Sequence, residues 1–171
     1  MKRASTFFAV LAICLVLLFD VSAQRKTAKA KFGKICGNPQ IKCRTRSVTF
    51  QAHEIPFEIP RGNQVIVESE PFYAIILKSV KLKGDINCEN AVSERKRLEI
   101  QILFPSNKVF ALKCADAGDL YYTNIANDVS FIAVYAGKTL TVANKFLKTV
   151  RANAKYKSGN VRKMQAEING T

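Results

Sequence analysis

The order of strand-forming and helix-forming stretches after Phe72 constrains this chain more than any other feature. Phe72 to Leu82 (FYAIILKSVKL) is β-rich and at first apolar at every position, the pattern of a central strand with both faces covered. Gly84-Asp85 breaks it. Asn87 or Asn90 supplies a cap for a helix over Ala91 to Phe104, with Ala91, Leu98 and Ile102 on one face and Glu94, Arg95, Lys96 and Glu99 toward water. Pro105 to Asn107 stops that helix, and Val109 to Cys114 (VFALKC) reads as the next strand. Leu120 to Ile125 is extended. Ser130 to Ala136 (SFIAVYA) is a strand closed by Gly137. A second helix follows, capped by Thr139 or Thr141. Leu140, Ala143, Leu147, Val150 and Ala154 fall at spacings of three and four, one apolar stripe opposed by Lys145, Lys148 and Arg151. After a turn at Ser158-Gly159-Asn160, Val161 to Ile168 reads as the last strand. Met164, Ala166 and Ile168 share one of its faces, and Lys163, Gln165 and Glu167 the other.

This β-α-β-β-α-β order predicts an α+β fold of ferredoxin-like type, a four-stranded antiparallel sheet with two helices on one face. Upstream, Ser47 to Ala52, Ile55 to Ile59 between Pro56 and Pro60, and Gln64 to Glu68 suggest a short N-terminal β extension. The organisation expected is a leader over 1–23, a basic arm over 24–46, the β extension over 47–70 and the main domain over 71–168.

The leader reading rests on three adjoining features. Lys2 and Arg3 precede an unbroken apolar run from Phe7 to Phe19, and Val21-Ser22-Ala23 places small residues where a signal peptidase cuts. The run is shorter than the ~20 residues of a spanning helix, and Asp20 ends it. Cleavage after Ala23 and export to the periplasm, cell envelope or exterior are expected, with no membrane span afterwards. Without Lys2, Arg3 and Asp20 the balance is 25 Lys and Arg to 12 Asp and Glu. Eight of those basic residues and no acid fall in Gln24 to Arg46. Such an arm favours anionic partners: membrane lipid, acidic polysaccharide or wall polymer. An exported address argues against nucleic acid, which is not expected as a partner.

Beyond the leader stand Cys36, Cys43, Cys88 and Cys114. An even count in an exported chain implies disulfides, and four cysteines allow three pairings. In the expected topology the first two strands of the main domain run the same way. Cys88 and Cys114 then lie at one edge, and Cys36 is left for Cys43. A metal site is not indicated, because no CxxC occurs and His53 is the only histidine. Nor is a catalytic set: one histidine cannot supply alternative triads, His53-Glu54 is an isolated pair, and the carboxylates are scattered. No Gly-rich phosphate loop is present. No enzyme activity and no cofactor are expected.

Several of these stretches resemble SPOR domains. Ile132-Ala133-Val134-Tyr135-Ala136-Gly137 is similar to that family's third strand, and Thr139 to Ala154, with Ala-Asn-Lys-Phe-Leu at its centre, to its second helix. Asn160-Val161-Arg162-Lys163 resembles the entry to the last strand, and Phe72 to Val80 the first strand. The resemblance spans Pro71 to Ile168. Ile76 and Lys78 depart from it, standing where a polar residue and a glycine are common. It implies an envelope protein that binds peptidoglycan glycan strands through the sheet face free of helices, with Lys78, Tyr135, Lys163 and Gln165 as contact residues. The competing expectation is a secreted, disulfide-stapled protein-binding or protease-inhibitor domain, whose partner would be an envelope or extracellular protein.

Overall fold

A computed structural model describes residues 31–45, 50–61, 66–82, 92–113, 120–126 and 128–169. The leader, Cys88 and Cys114 lie outside these. The elements are β1 (Ile66–Glu68), β2 (Phe72–Lys81), α1 (Glu94–Leu103), β3 (Val109–Leu112), β4 (Leu120–Tyr122), β5 (Val129–Gly137), α2 (Leu140–Ala152), a 3-10 turn (Ala154–Tyr156), β6 (Asn160–Met164) and β7 (Ala166–Asn169). They form a mixed α+β fold with two antiparallel sheets.

The larger sheet has the order β3-β5-β2-β6, and the smaller one β1-β7-β4. A single four-stranded sheet is therefore not what forms. The last predicted strand divides at Gln165, so that β6 pairs with β2 while β7 pairs with β1 and β4. The alternation expected across this segment survives the division, with Met164, Ala166 and Ile168 all buried. Each sheet contributes to the same core on that side, so one continuous period-two pattern suits both. Of the three upstream stretches, the last supplies β1 through its described residues, Ile66–Glu68. Phe57 makes one antiparallel bridge to Ile35, and the described part of Ser47 to Ala52 is not a strand.

Both faces of the larger sheet are covered. Ile75, Leu77, Ile132 and Val134 on one face pack with Ile100 of α1 and with Ala143 and Val150 of α2. Phe72, Ala74, Ile76, Phe131 and Ala133 on the other face pack with Ile35, Ile55 and Phe57 from the N-terminal segment and with Leu120, Tyr122, Ala166 and Ile168 of the smaller sheet. The open sheet face expected for ligand contact is thus absent among the described residues. Aromatic rings fill this second core. Phe110 meets Phe131 edge-on at 5.8 Å, Tyr122 meets Phe131 at 5.5 Å, and Phe72 meets Phe110 at 6.0 Å. Each such pair contributes about 0.5–1.5 kcal/mol beyond its burial. The Tyr122 hydroxyl accepts the Ile55 N–H at 3.1 Å, which ties the N-terminal segment to β4 inside the core.

The helices differ from expectation in their inner faces. Thr139 caps α2, its hydroxyl accepting the Val142 N–H. Ala143, Phe146, Leu147 and Val150 face the core, while Leu140 is half exposed and Ala154 lies beyond the helix end. α1 starts at Glu94 under a Ser93 cap. Asn87, Asn90 and Ala91 fall outside the described residues. Its inner face carries Arg97 and Ile100, whereas Leu98 and Ile102 point outward and are 49% and 78% exposed. The physical reason is the Arg97 guanidinium. It is paired with Glu94 and donates to the Val109 carbonyl at 2.9 Å, so its charge and donors are satisfied in place and the residue can be buried.

Candidate functional site

The N-terminal segment is stitched to the edges of both sheets by backbone hydrogen bonds. The Gly33 N–H donates to the Glu68 carbonyl, the Gly33 carbonyl accepts the Glu70 N–H, and the Cys36 N–H donates to the Pro56 carbonyl. Lys108 N–H donates to the Gly37 carbonyl at 2.7 Å, while Tyr135 N–H donates to the Lys108 carbonyl at 2.9 Å. These last two bonds set Gly37, Lys108 and Tyr135 side by side. Gly37 rests so closely on the Tyr135 ring that any side chain there would overlap it. Glu70 anchors the same region from below, accepting the Ile35 N–H at 3.0 Å and pairing with Lys138 at 2.8 Å.

Beyond Gly37 the chain turns. The Asn38 side chain accepts the Gln40 N–H, its carbonyl accepts the Ile41 N–H, and the Cys36–Cys43 disulfide closes the loop. Facing this loop is the connection after α1. Gln101 holds it in place by donating to the carbonyls of Phe104 and Asn107 while accepting the Val109 N–H. Asn107 in turn donates to the Tyr135 carbonyl at 3.0 Å. Between loop and connection lies a cleft of about 290 Å³, with Lys34, Asn38 and Lys42 on one wall and Ser106, Asn107 and Tyr135 on the other.

The cleft offers donors and positive charge. Lys34 and Lys42 are exposed, and Glu58 is the carboxylate on the lining. Burial, and the charge of Glu70, push the Tyr135 phenol above its ordinary value, so it stays protonated at neutral pH. The disulfide supports one wall. Replacing both Cys36 and Cys43 by Ser should lower stability by roughly 2.5 kcal/mol on the loop-entropy model. It should also weaken whatever binds the cleft. Urea melts of the two proteins check this, and coincident curves would refute it.

Of the four contact residues expected from the sequence, Tyr135 alone lines the cleft. It does so from the face covered by the N-terminal segment, packed near Phe72 with ring centroids 6.0 Å apart. Lys163 is exposed and pairs with Tyr73, which packs on the helix side of the sheet. Lys78 is exposed opposite Ile132, past an irregularity in register after Ile76. Gln165 lies at the division between β6 and β7, where its backbone N–H donates to Thr123 Oγ1 and its side chain to the Ser69 carbonyl. The four do not make one surface, because a sheet face shared by alternation is lost when the strand changes sheets and the register shifts. Lys34, Asn38 and Lys42 were noticed only as part of a basic arm. The signal that could have singled them out is the short Cys36–Cys43 spacing, which confines Asn38 and Lys42 to one loop and leaves Lys34 two residues before it.

His53 stands elsewhere, in a turn whose carbonyl accepts the Ala111 N–H. Burial, and then Lys113, hold its imidazole below the ordinary range. Glu54 accepts the Gln51 N–H, closing that turn. Among the described residues no cluster of three or more His, Cys, Asp or Glu could hold a metal ion, and no helix is long and apolar enough to cross a membrane. No family model, curated protein or solved structure matches the chain.

Proposed function

We propose that this chain is an exported, non-enzymatic cell-envelope protein that binds peptidoglycan glycan strands. Its ferredoxin-like β-α-β-β-α-β portion serves as scaffold, and the disulfide-bordered cleft is the contact surface. The reading keeps the ligand class implied by the resemblance to SPOR domains and moves the contact off the sheet. The observation that carries it is the pairing of Lys34 and Lys42 with Asn38, Ser106, Asn107 and Tyr135 around one recess. A glycan strand needs neutral donors and acceptors for its hydroxyl and acetamido groups, and positive charge for its lactyl carboxylates. Both are present within one cavity.

Co-sedimentation with purified sacculi tests the proposal. The protein should pellet with sacculi, and more so after an amidase has removed the stem peptides. Lys34→Ala with Lys42→Ala should weaken retention about tenfold, as two exposed charge contacts of roughly 0.7 kcal/mol each would. Absence of binding to both intact and stripped sacculi would falsify the reading.

A second reading, a disulfide-stapled protein-binding domain, is favoured by the outward Leu98, Ile102 and Leu103 on α1. The two readings separate at Ile102→Lys. That change leaves glycan retention untouched in the first and removes partner binding in the second.

A further inference from the structure

A second cavity of about 360 Å³ adjoins the cleft on the α2 side, and Asn107 and Tyr135 line both. Its character differs. Ala136, Gly137, Val142 and Phe146 give it an apolar part, and Lys145 and Thr149 line it as well. The chain reaches α2 here through Gly137, whose φ of 108° is open to glycine and strained for other residues. A Cβ at Gly137 would stand 2.8 Å from Val142, so the turn brings the first residues of α2 close against the end of β5. Asn107, hydrogen-bonded through its side chain to the Tyr135 carbonyl, is thus shared by two adjoining recesses, the first lined by Lys34 and Lys42 with Glu58, the second by Val142 and Phe146 with Lys145.

Resting on the glycan reading, we infer that the two recesses are successive subsites for a linear chain of N-acetylated amino sugars. A carboxylate-bearing unit sits toward Lys34 and Lys42, and a neighbouring unit lays its acetamido methyl against Val142 and Phe146. Each cavity lies near the lower end of the ~300–1,000 Å³ range of small-molecule clefts. One sugar unit per recess suits that size, and a single unit cannot use both linings. Two features fix the direction. Lys34 and Lys42, two lysines against the one Glu58 of the first recess, hold the lactyl carboxylate, while Val142 and Phe146, beside the single Lys145 of the second, take the methyl of an acetamido group.

The test is a titration of the full chain with neutral N-acetylglucosamine oligomers of one to four units, and with peptide-free glycan fragments containing muramic acid. Affinity should rise at least tenfold from one unit to two or three and then level off. The muramic-acid fragments should bind about tenfold more tightly than neutral oligomers of equal length, each tenfold step corresponding to about 1.4 kcal/mol. Val142→Glu, at a half-exposed position in the first turn of α2, should abolish the gain with length and leave the preference for carboxylate. Lys34→Gln with Lys42→Gln should do the reverse. Amide NMR shifts of the unaltered protein give a variant-free check: a disaccharide should move Asn38 and Thr149 together. Binding to sacculi without any gain from one unit to three overturns the two-subsite inference and leaves the glycan reading standing. So does a Val142→Glu protein that folds and keeps the gain. Failure to bind both fragments and sacculi overturns the glycan reading itself.

Discussion

Phe57→Ala should destabilise the protein by about 3–5 kcal/mol, the range for emptying a fully buried phenylalanine site. Phe57 is fully buried, pairs with Ile35 through a backbone bridge, and meets the tilted ring of Phe50 at 5.3 Å. It belongs to the layer that closes the second face of the larger sheet. Removing it uncovers Ile35 and Ile55 as well, so the loss should fall toward the upper part of the range. For a domain of this size the melting temperature should drop by roughly 10 °C or more. Ile41→Ala is the matched control on the same segment. Ile41 is 67% exposed, and the change should stay within about 0.5 kcal/mol. Urea unfolding decides the matter. A Phe57→Ala loss below about 1 kcal/mol would show that the N-terminal segment is an ornament on the domain rather than half of its second core.

The second large effect concerns the buried guanidinium. Glu94→Ala should cost about 2–3 kcal/mol. Breaking a buried ion pair typically costs ~3–5 kcal/mol, and the lower figure reflects Glu94, whose side chain is 33% exposed against 4% for Arg97. The variant leaves Arg97 charged and held by the Val109 carbonyl alone among the bonds described here. Arg97→Met together with Glu94→Ala should recover part of the loss, because a hydrophobe of similar length carries no charge to strand.

The same pair sets a pH dependence. The hydrogen bond from Arg97 holds the Glu94 carboxyl below its ordinary value of 4.5. A carboxyl depressed in the folded state contributes stability above its unfolded pKa and loses it as pH falls through the folded one. Stability should therefore decline below about pH 4.5, and the decline should be shallower in Glu94→Ala. His53 adds to the acid side. Its folded imidazole is held below 6.5, chiefly by burial, so protonation below that pH works against the fold. His53→Gln isolates this part. A Glu94→Ala protein with an acid limb as steep as the parent's would overturn the assignment.

The architecture was legible to the degree that local pattern decides it. β2 announced itself as a central strand by being apolar at every position over its first half. That observation already implied two covered faces, since a strand with one wet face alternates. The expectation of an open ligand face conflicted with it, and the structure sides with the pattern: Phe72, Ala74, Phe131 and Ala133 need a second layer, which the N-terminal segment and the smaller sheet provide. α2 was legible because its stripe is apolar, while α1 was misread because its inner face carries an arginine. Periodicity cannot mark a buried charge, whose partners, Glu94 and the Val109 carbonyl, are a matter of packing. The site fared worst for the same reason. Tyr135 was visible as an aromatic at the end of β5. Lys34, Lys42 and Asn107 meet it only because the arm returns along Lys108 and Gly37.

By itself the sequence determined the order of the main strands and helices, the α+β class, the face of Met164, Ala166 and Ile168, and the cysteine spacing that a short loop can close. These follow from side-chain periodicity, capping and chain stiffness over a few residues. The tertiary structure alone decided that one strand divides between two sheets at Gln165 and that the second sheet face is filled. It also decided that Arg97 points inward and that the cleft forms where arm, helix connection and β5 converge. Those outcomes depend on which distant apolar surfaces and backbone donors find one another, and no window along the chain contains both partners.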